Sequence, residues 1–204
     1  MKRCVFAVAN KYWRAGFGMG VCLELYSYAV WDLRAVMDLL VSYSWNHFFP
    51  ARREVISVLK NFGDPDPKVE KSGVMGIAIV HTSLDNREVI GRCKELFVAA
   101  PAFEFAIKWV PVDFWCDTAL DSMKKVIEES VRHQIGENET WGMKVEKRGW
   151  QQYHTAEIVE YLAASINRKV NLKNPDKLIR IDVLRERTAI SLLKPGEIFS
   201  TTAP

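Results

Sequence analysis

The stretch that decides the fold is residues 139–200, near the end of the sequence. It begins Glu139-Thr140-Trp141-Gly142-Met143-Lys144-Val145-Glu146-Lys147-Arg148-Gly149-Trp150 and continues, after three residues, with His154-Thr155-Ala156-Glu157-Ile158. A further loop reads Val170-Asn171-Leu172-Lys173-Asn174-Pro175-Asp176. In order, these segments predict a strand, a basic turn, a helix start and a second basic loop, with no nucleophile or metal-ligand cluster among them. This order is typical of a surface that binds a phosphate backbone.

The sequence around that stretch predicts a compact α/β unit. Thr118-Ala119-Leu120-Asp121 has the spacing of a capping box and starts a helix that runs to about Gln134. Residues 141–147 are predicted as a strand, and Thr155 as the cap of a second helix. The inner side of that helix carries Ile158, Val159, Leu162 and Ile166. Two more strands, 178–184 and 188–193, are expected to pair around the turn Arg185-Glu186-Arg187.

The sequence before this unit predicts elements in the order β-α-β-β-α-β. The first strand has Leu39, Val41, Tyr43 and Trp45 in alternation, and Pro50 opens the helix that follows. Residues 68–71 and 74–81 form a hairpin candidate around Ser72-Gly73, the second helix runs from a cap at Asp85 to Pro101, and residues 103–112 are the last strand. This is the order of a split βαβ, or ferredoxin-like, domain. The two units are predicted to join near Trp115–Thr118.

The quoted residues resemble a known domain family. The segments that carry the resemblance are 144–148, His154-Thr155 with Glu157-Ile158, Leu162-Ala163, Val170-Asn171-Leu172, Asn174-Pro175-Asp176 and Ile181-Asp182-Val183. Their order and spacing resemble a THUMP domain over roughly residues 118–200. The resemblance implies an α+β fold, with a ferredoxin-like (βαββαβ) domain at 37–116 followed by a small α/β THUMP domain at 117–204.

THUMP domains occur in proteins of tRNA thiolation, methylation and acetylation, so the resemblance implies tRNA as a partner. The other members considered add a catalytic domain, whereas this sequence has neither a Gly-rich phosphate loop nor a GxGxxG fingerprint. It is most similar to the stand-alone group that includes the adaptor of tRNA cytidine N4-acetylation. The implied role is a non-catalytic adaptor, without cofactor or metal, that presents tRNA to a separate enzyme such as an acetyltransferase. An accessory of tRNA thiolation or methylation is the alternative.

Seven residues are predicted to contact the RNA. They are Lys144, Lys147, Arg148, His154, Thr155, Lys173 and Asn174. Lys144, Glu146 and Arg148 share one face of an extended strand, and the free N–H groups at Thr155 suit an anion. Ordinary structural roles stay open as well. Glu146 can neutralise Lys144, residues 154–155 can cap the helix, and residues 173–176 suit a simple turn.

Charge is distributed unevenly along the 204 residues, whose net charge is +3. Residues 37–140 hold 12 basic and 16 acidic side chains, whereas residues 141–204 hold 11 and 7. The predicted RNA-binding unit is therefore the basic part of an otherwise acidic body, which suits local attraction to an anion. A solvated charged surface would give the same counts.

The four cysteines are scattered, at positions 4, 22, 93 and 116, without CxxC or Cys/His spacing. We therefore expect neither a disulfide framework nor a zinc site, and a reducing, cytoplasmic setting. Cys93 lies on the apolar side of a predicted helix, where a free cysteine acts as a small hydrophobic side chain.

The N-terminal 36 residues combine an apolar run with scattered charged residues. Ala15–Trp31 is the most apolar run, but its 17 residues include Glu24, and Lys11 and Arg14 interrupt a signal-peptide pattern. We expect no membrane association. The favoured hypothesis is that Met37 is the native start and that residues 1–36 are an extension without a role in the fold.

Two other function classes compete with the RNA-binding adaptor. An enzyme would have to use His81 or His133 with Asp85 or Glu129, and no nucleophile is placed beside them. A protein-interaction module without an RNA role would use the aromatic residues, which are more often core. These are Phe48, Phe49, Phe103, Phe105, Trp109, Phe114 and Trp115. The acidic first domain is the predicted contact surface for a partner enzyme.

Overall fold

The computed structural model describes residues 37–99 and 103–202. The expectations for residues 1–36, with the apolar run Ala15–Trp31, lie outside the described residues, as does Pro101 as the end of a helix. No helix within the described ranges is both long enough and apolar enough to cross a membrane.

The described residues form nine strands and four α-helices. The strands are β1 Met37–Tyr43, β2 Lys68–Lys71, β3 Ile77–Thr82, β4 Ala106–Val112, β5 Phe114–Asp117, β6 Trp141–Arg148, β7 Lys177–Leu184, β8 Arg187–Leu193 and β9 Phe199–Ser200. The helices are α1 Phe48–Asn61, α2 Asn86–Ala99, α3 Leu120–Val126 and α4 Thr155–Ala163. After α3 the chain stays helical, with a π turn at Ile127–Val131 and a 3-10 turn at Arg132–Gln134.

The first sheet has the strand order β2-β3-β1-β4-β9, and all its neighbouring strands are antiparallel. Its first four strands, with α1 and α2, follow the predicted β-α-β-β-α-β order. The helices and one face of the sheet share a core that includes Leu39, Val55, Val89 and Trp109. The apolar alternation and the helical stripes in this part of the sequence therefore predict the correct elements.

Some predicted boundaries in the first sheet are wrong. β1 ends at Tyr43, and Trp45 is 67% exposed because Asn46 adopts a positive φ of 62° in the turn before α1. β3 begins at Ile77 instead of residue 74, since Gly73 and Gly76 both have positive φ and lengthen the hairpin turn.

The predicted join near Trp115–Thr118 is instead strand β5 of the second sheet. Asp113 alone separates β4 from β5, and its backbone N–H donates to the carbonyl of Ile190 at 3.1 Å. The chain thus passes from one sheet to the other within a single residue, without a linker.

The second sheet has the order β5-β8-β7-β6, and only the β6–β7 pair is parallel. One face packs against α3 and α4 around Met123, Ile158, Leu162 and Ile181. The opposite face shares a third core with the first sheet, which includes Leu40, Val110, Leu184 and Leu193. The two sheets are therefore in direct apolar contact.

Thr118 does not cap α3, contrary to the capping-box prediction. The residue before α3 is Ala119, which provides no side-chain cap, while the Thr118 hydroxyl lies 2.9 Å from the hydroxyl of Thr188. The backbone N–H of Thr118 donates to the carbonyl of Glu186 at 2.9 Å. Thr118 therefore attaches the start of the helix to the turn between β7 and β8.

Candidate nucleic-acid interface

β6 is an edge strand, and its side chains alternate between two environments. Met143 and Val145 pack towards the helices. Glu146 and Arg148, two residues apart, line a small cavity on the side of the first sheet. Lys144 shares their strand parity and is exposed. The structure therefore has the predicted separation of β6 into two faces.

An ionic cluster surrounds that small cavity. Arg180 and Asp182 are buried and form a bidentate pair, with Nε–Oδ2 at 2.6 Å and Nη2–Oδ1 at 2.9 Å. Arg148 Nη1 lies 3.4 Å from Asp182 Oδ1. Lys144 Nζ lies 3.1 Å from Glu146 Oε1, as the ordinary structural interpretation of this strand expected. Lys108 of β4 also lines the cavity.

Positive charge is in excess in this cluster. Burial lowers the pKa of Lys108, and the charges of Arg180 and Lys144 lower it further. Burial alone would raise the pKa of Glu146, but the hydrogen bond and the charge of Lys144 bring it below its ordinary value. The Glu146 carboxylate therefore holds its negative charge at neutral pH, and the lysine and arginine side chains of the cluster outnumber its two carboxylates.

Lys147 has a structural contact. Its Nζ donates to the backbone carbonyl of Tyr153, across the loop that connects β6 to α4. A lysine that holds a loop carbonyl is less available for a phosphate, although it fixes the position of the loop.

The end of β6 lies beside the turn between β7 and β8. The backbone N–H of Arg185 donates to the carbonyl of Arg148 at 3.0 Å. A Cβ on Gly149, whose φ is +75°, would lie 2.6 Å from Cγ of Arg185, so this position requires glycine. Arg185 and Arg187 are both exposed. We call Arg148, Arg185 and Arg187 the arginine group.

The arginine group contains two residues that sequence reasoning missed. The Arg185-Glu186-Arg187 segment was identified only as a turn, although two arginines on an exposed turn are a recognisable signal for anion binding. The guanidinium carbon of Arg187 lies 4.5 Å from the ring centre of Trp115, which holds this side chain against an aromatic surface.

His154, and not Thr155, is the cap of α4. His154 has extended backbone angles, and its backbone N–H donates to Glu157 Oε2 at 2.6 Å. Thr155 is the first helical residue and is exposed. Because the Glu157 carboxylate already lies at the positive end of the helix, the predicted anion site at Thr155 is weakened.

Lys173 and Asn174 lie at the opposite end of β6. Their backbone N–H groups both donate to Asn171 Oδ1 at 3.1 Å, so Asn171 organises this loop. A Cβ on Gly142 would lie 3.2 Å from the carbonyl of Asn171, which places the loop beside the start of the strand. Gly142 and Arg148 are about 20 Å apart at about 3.3 Å per residue.

The predicted set is thus divided between two ends of one strand. Arg148, His154 and Thr155 lie at the end of β6, whereas Lys173 and Asn174 lie at its start. Further exposed cations surround the second loop: Arg168 and Lys169. We call Arg168, Lys169 and Lys173 the lysine-loop group. Lys144 lies on the strand between the two groups.

The histidines considered for catalysis have other contacts. His81 Nδ1 lies 2.7 Å from Asp38 Oδ1, and Trp115 Nε1 donates to the other oxygen of that carboxylate at 2.5 Å. Asp85 accepts the backbone N–H groups of Arg87 and Glu88 as the cap of α2. His133 is exposed, with Nε2 3.4 Å from Arg132 Nε. The described ranges contain no group of three or more potential metal ligands from His, Cys, Asp and Glu.

Two cysteines fall within the described residues. Burial raises the pKa of the Cys93 thiol to about 12 and that of Cys116 to about 11. Both thiols stay protonated at neutral pH, so neither is an activated nucleophile.

Comparison with known protein families matches residues 117–193 to the THUMP domain. Residues 117–193 form a THUMP domain. This domain is associated with tRNA modification, and here it contains the arginine group, the lysine-loop group and the whole of β6.

One curated relative of this THUMP-domain chain is the uncharacterized protein MJ0421 of Methanocaldococcus jannaschii. The two are 30% identical over 135 residues, which cover 64% of this chain and 34% of that protein. The chain therefore spans about a third of the length of the relative that it matches.

Solved structures share the fold at low identity. PH1313 from Pyrococcus horikoshii Ot3 has a TM-score of 0.54 and 16% identity, over 78% of this chain and 54% of that chain. TrmN from Thermus thermophilus has a TM-score of 0.51 and 12% identity, over 78% and 47%. A predicted N6-adenine-specific DNA methylase from Listeria monocytogenes has the same TM-score and identity, over 77% and 40%. These similarities show a common mixed α/β fold.

Proposed function

We propose that this chain is a tRNA-binding adaptor that presents tRNA to a separate modifying enzyme. The observation that carries the proposal is a THUMP domain with exposed cations at both ends of its edge strand β6. A phosphate backbone that runs along β6 would meet the arginine group, then Lys144, then the lysine-loop group. This geometry supports binding through charge more than through base recognition.

Local electrostatics support the same proposal. The exposed arginines 185 and 187 provide planar forks for phosphate oxygens, and Lys144, which pairs with Glu146, keeps 55% of its side chain exposed. Positive charge in excess of the carboxylates extends from Lys144 into the cleft between the sheets. An RNA bound at this edge would release counterions from its phosphates.

The first unit is the proposed contact surface for the enzyme. Its strand order β2-β3-β1-β4, with both helices on one face, supports its description as ferredoxin-like. Trp45, Phe49 and Met75 are 59–68% exposed near the turns at one end of this sheet. Exposed large apolar side chains of this kind suit a protein partner.

The adaptor role itself is non-catalytic in this proposal. In support, His81 is held by Asp38 and lies 3.4 Å from Glu70, while Asp85 is engaged as a helix cap. His81 and Asp85, two of the four residues considered for catalysis, therefore have structural contacts of their own. Among possible enzymes, the resemblance favours a cytidine N4-acetyltransferase. The scattered cysteines favour a reducing, cytoplasmic setting.

Two measurements test the proposal. Purified full-length protein should bind tRNA with an affinity that falls as salt concentration rises, because binding releases counterions. Deletion of the gene should remove N4-acetylcytidine from cellular tRNA, as measured by nucleoside mass spectrometry, and the wild-type gene should restore it. If a thiolated or methylated base is lost instead, the partner enzyme belongs to another class, but the adaptor role still holds. Absence of tRNA binding would overturn the whole proposal.

A further inference from the structure

A pocket in the THUMP domain lies beside the arginine group. It is a cavity of about 380 Å³ between the start of α3 and the loop that leads from β6 to α4. Its aromatic lining is Trp150, Tyr153 and Tyr161, and its polar lining includes Thr118, Asp121 and Gln152. We call it the aromatic pocket. Its volume falls in the range of pockets that hold one small organic ligand, about 300–1,000 Å³.

The three aromatic rings are held in place but remain accessible. The rings of Trp150 and Tyr153 contact edge to face, with centroids 5.4 Å apart and planes at 61°. The Tyr161 hydroxyl donates to Asp121 Oδ1 at 2.7 Å, and Lys124 Nζ lies 4.7 Å from the centre of its ring. All three aromatic side chains are half-buried. Fixed and partly exposed rings are suited to stacking on another flat ring.

Polar side chains at the rim add hydrogen-bonding capacity. Asp121 offers carboxylate oxygens, and Gln152 offers both an amide donor and a carbonyl acceptor. Gln152 Nε2 lies 3.3 Å from the Tyr153 hydroxyl, so this amide already lies against the aromatic surface. A flat ring with donors and acceptors on its edge, such as a nucleobase, matches both parts of the lining.

Cations adjoin the pocket through direct contacts. Thr118 donates its backbone N–H to Glu186, the residue between Arg185 and Arg187. Gly149, which precedes Trp150, lies against the Arg185 side chain. Lys147 donates to the carbonyl of Tyr153. Phosphates on either side of a base in the pocket would therefore lie close to the arginines, which favours a nucleotide of an RNA chain over an uncharged ligand.

We infer that the aromatic pocket binds one unpaired base of the RNA, stacked on the Trp150 ring with Tyr153 at its edge, while the adjacent phosphates contact Arg185 and Arg187. This inference rests on the proposed RNA binding and adds base recognition to it. Proteins commonly recognise unpaired bases in loops and bulges by stacking them on aromatic side chains.

The test compares two RNA duplexes that differ by a single unpaired, bulged nucleotide. Fluorescence anisotropy with the full-length protein should give tighter binding to the bulged duplex. Trp150→Leu should lower affinity for the bulged duplex by about tenfold, in line with the stacking of one base, and leave affinity for the paired duplex within about twofold. Trp150→Phe keeps a ring and should retain most of the preference.

Trp150 also packs against the core, so a second variant guards against misfolding. Gln152→Ala changes an exposed side chain at the rim and should also reduce the preference for the bulge, with an unchanged thermal melting curve. Equal binding of both duplexes by the wild-type protein, or unchanged preference in Trp150→Leu and Gln152→Ala, would overturn the pocket inference alone. Failure of the wild-type protein to bind either duplex or tRNA would overturn the proposed function as well.

Discussion

Arg148 at the end of β6 reaches across to Asp182 on β7, with Nη1 3.4 Å from Oδ1. Asp182 is buried and already binds Arg180 through both of its oxygens. One buried carboxylate thus faces two guanidinium groups. Arg148 is held near the edge of the second sheet, but its charge is not fully neutralised by that contact.

Removing the charge of Asp182 should destabilise the protein strongly. Asp182→Asn leaves the Arg180 guanidinium buried without its countercharge, and the free energy of unfolding should fall by about 3–5 kcal/mol in urea titrations. The control is Glu146→Gln, which breaks the more exposed pair with Lys144 and should cost less than about 1 kcal/mol. Equal losses for the two variants would contradict the assignment of Asp182 as the buried countercharge.

Substitutions at the two ends of β6 should both weaken tRNA binding. Arg185→Ala with Arg187→Ala, and separately Lys169→Ala with Lys173→Ala, should each lower the slope of log affinity against log salt by roughly 0.7–0.9 per contact removed. Arg53→Ala with Lys60→Ala, two exposed cations of α1, is the matched control and should leave the slope unchanged. If only one of the two THUMP pairs changes the slope, the RNA does not extend along the whole strand.

Stability should depend on the ionisation of His81. The hydrogen bond with Asp38 raises the pKa of His81, and this effect outweighs the opposing effect of burial. Because the folded-state pKa is above the unfolded value of about 6.5, the stabilisation is complete below that pH and is lost as pH rises through the folded-state pKa.

Urea titrations between pH 5.5 and 8.5 should therefore show a decline in wild-type stability above about pH 6.5. The decline should be smaller in His81→Gln. His133→Gln, at an exposed histidine, is the control and should keep the wild-type profile. An identical profile for His81→Gln and wild type would refute this role for the His81–Asp38 contact.

Glycine positions 149 and 91 should respond to alanine in opposite directions. Gly149→Ala would place a methyl group 2.6 Å from Arg185 Cγ at a φ of +75°, so unfolding free energy should fall by about 1 kcal/mol or more, and tRNA affinity should fall with the displaced arginine. Gly91→Ala, in α2 with no atom within 4 Å of its new Cβ, should be neutral or raise stability by up to about 1 kcal/mol. Thermal unfolding of both variants tests this contrast.

The sequence predicts the elements well where their signals are local. The stripe of Ile158 and Leu162 and the alternation of Met143 and Val145 depend only on residues a few positions apart, and these side chains pack where the periodicity indicates. Capping was less predictable. Thr118 contacts Thr188, a partner 70 residues away that no local pattern reveals.

The residues predicted to contact RNA fall into two spatial groups that their order in the sequence does not reveal. Arg148 ends β6, and Lys173 lies in the segment that leads to β7. Because β6 and β7 are parallel, this segment must return to the start of β6 before β7 begins, which places Lys173 at the opposite end of the strand from Arg148. The same parallel pairing brings Arg185 beside Arg148, because both strands end at the same edge. Parallel pairing of strands depends on residues far apart in the sequence, and here it determines which cations lie close together.

The short strand β9 has a consequence for how this protein can be divided. Phe199 pairs with Trp109 of β4 after the chain has completed the THUMP domain, so that domain is inserted between two adjacent strands of the first sheet. Both ends of the THUMP domain are therefore connected to the first sheet, so the domain cannot rotate freely as it could on a single linker. A fragment cut at residue 117 would lose β9 from the first sheet, and a graft of another THUMP domain would have to match two attachment points instead of one.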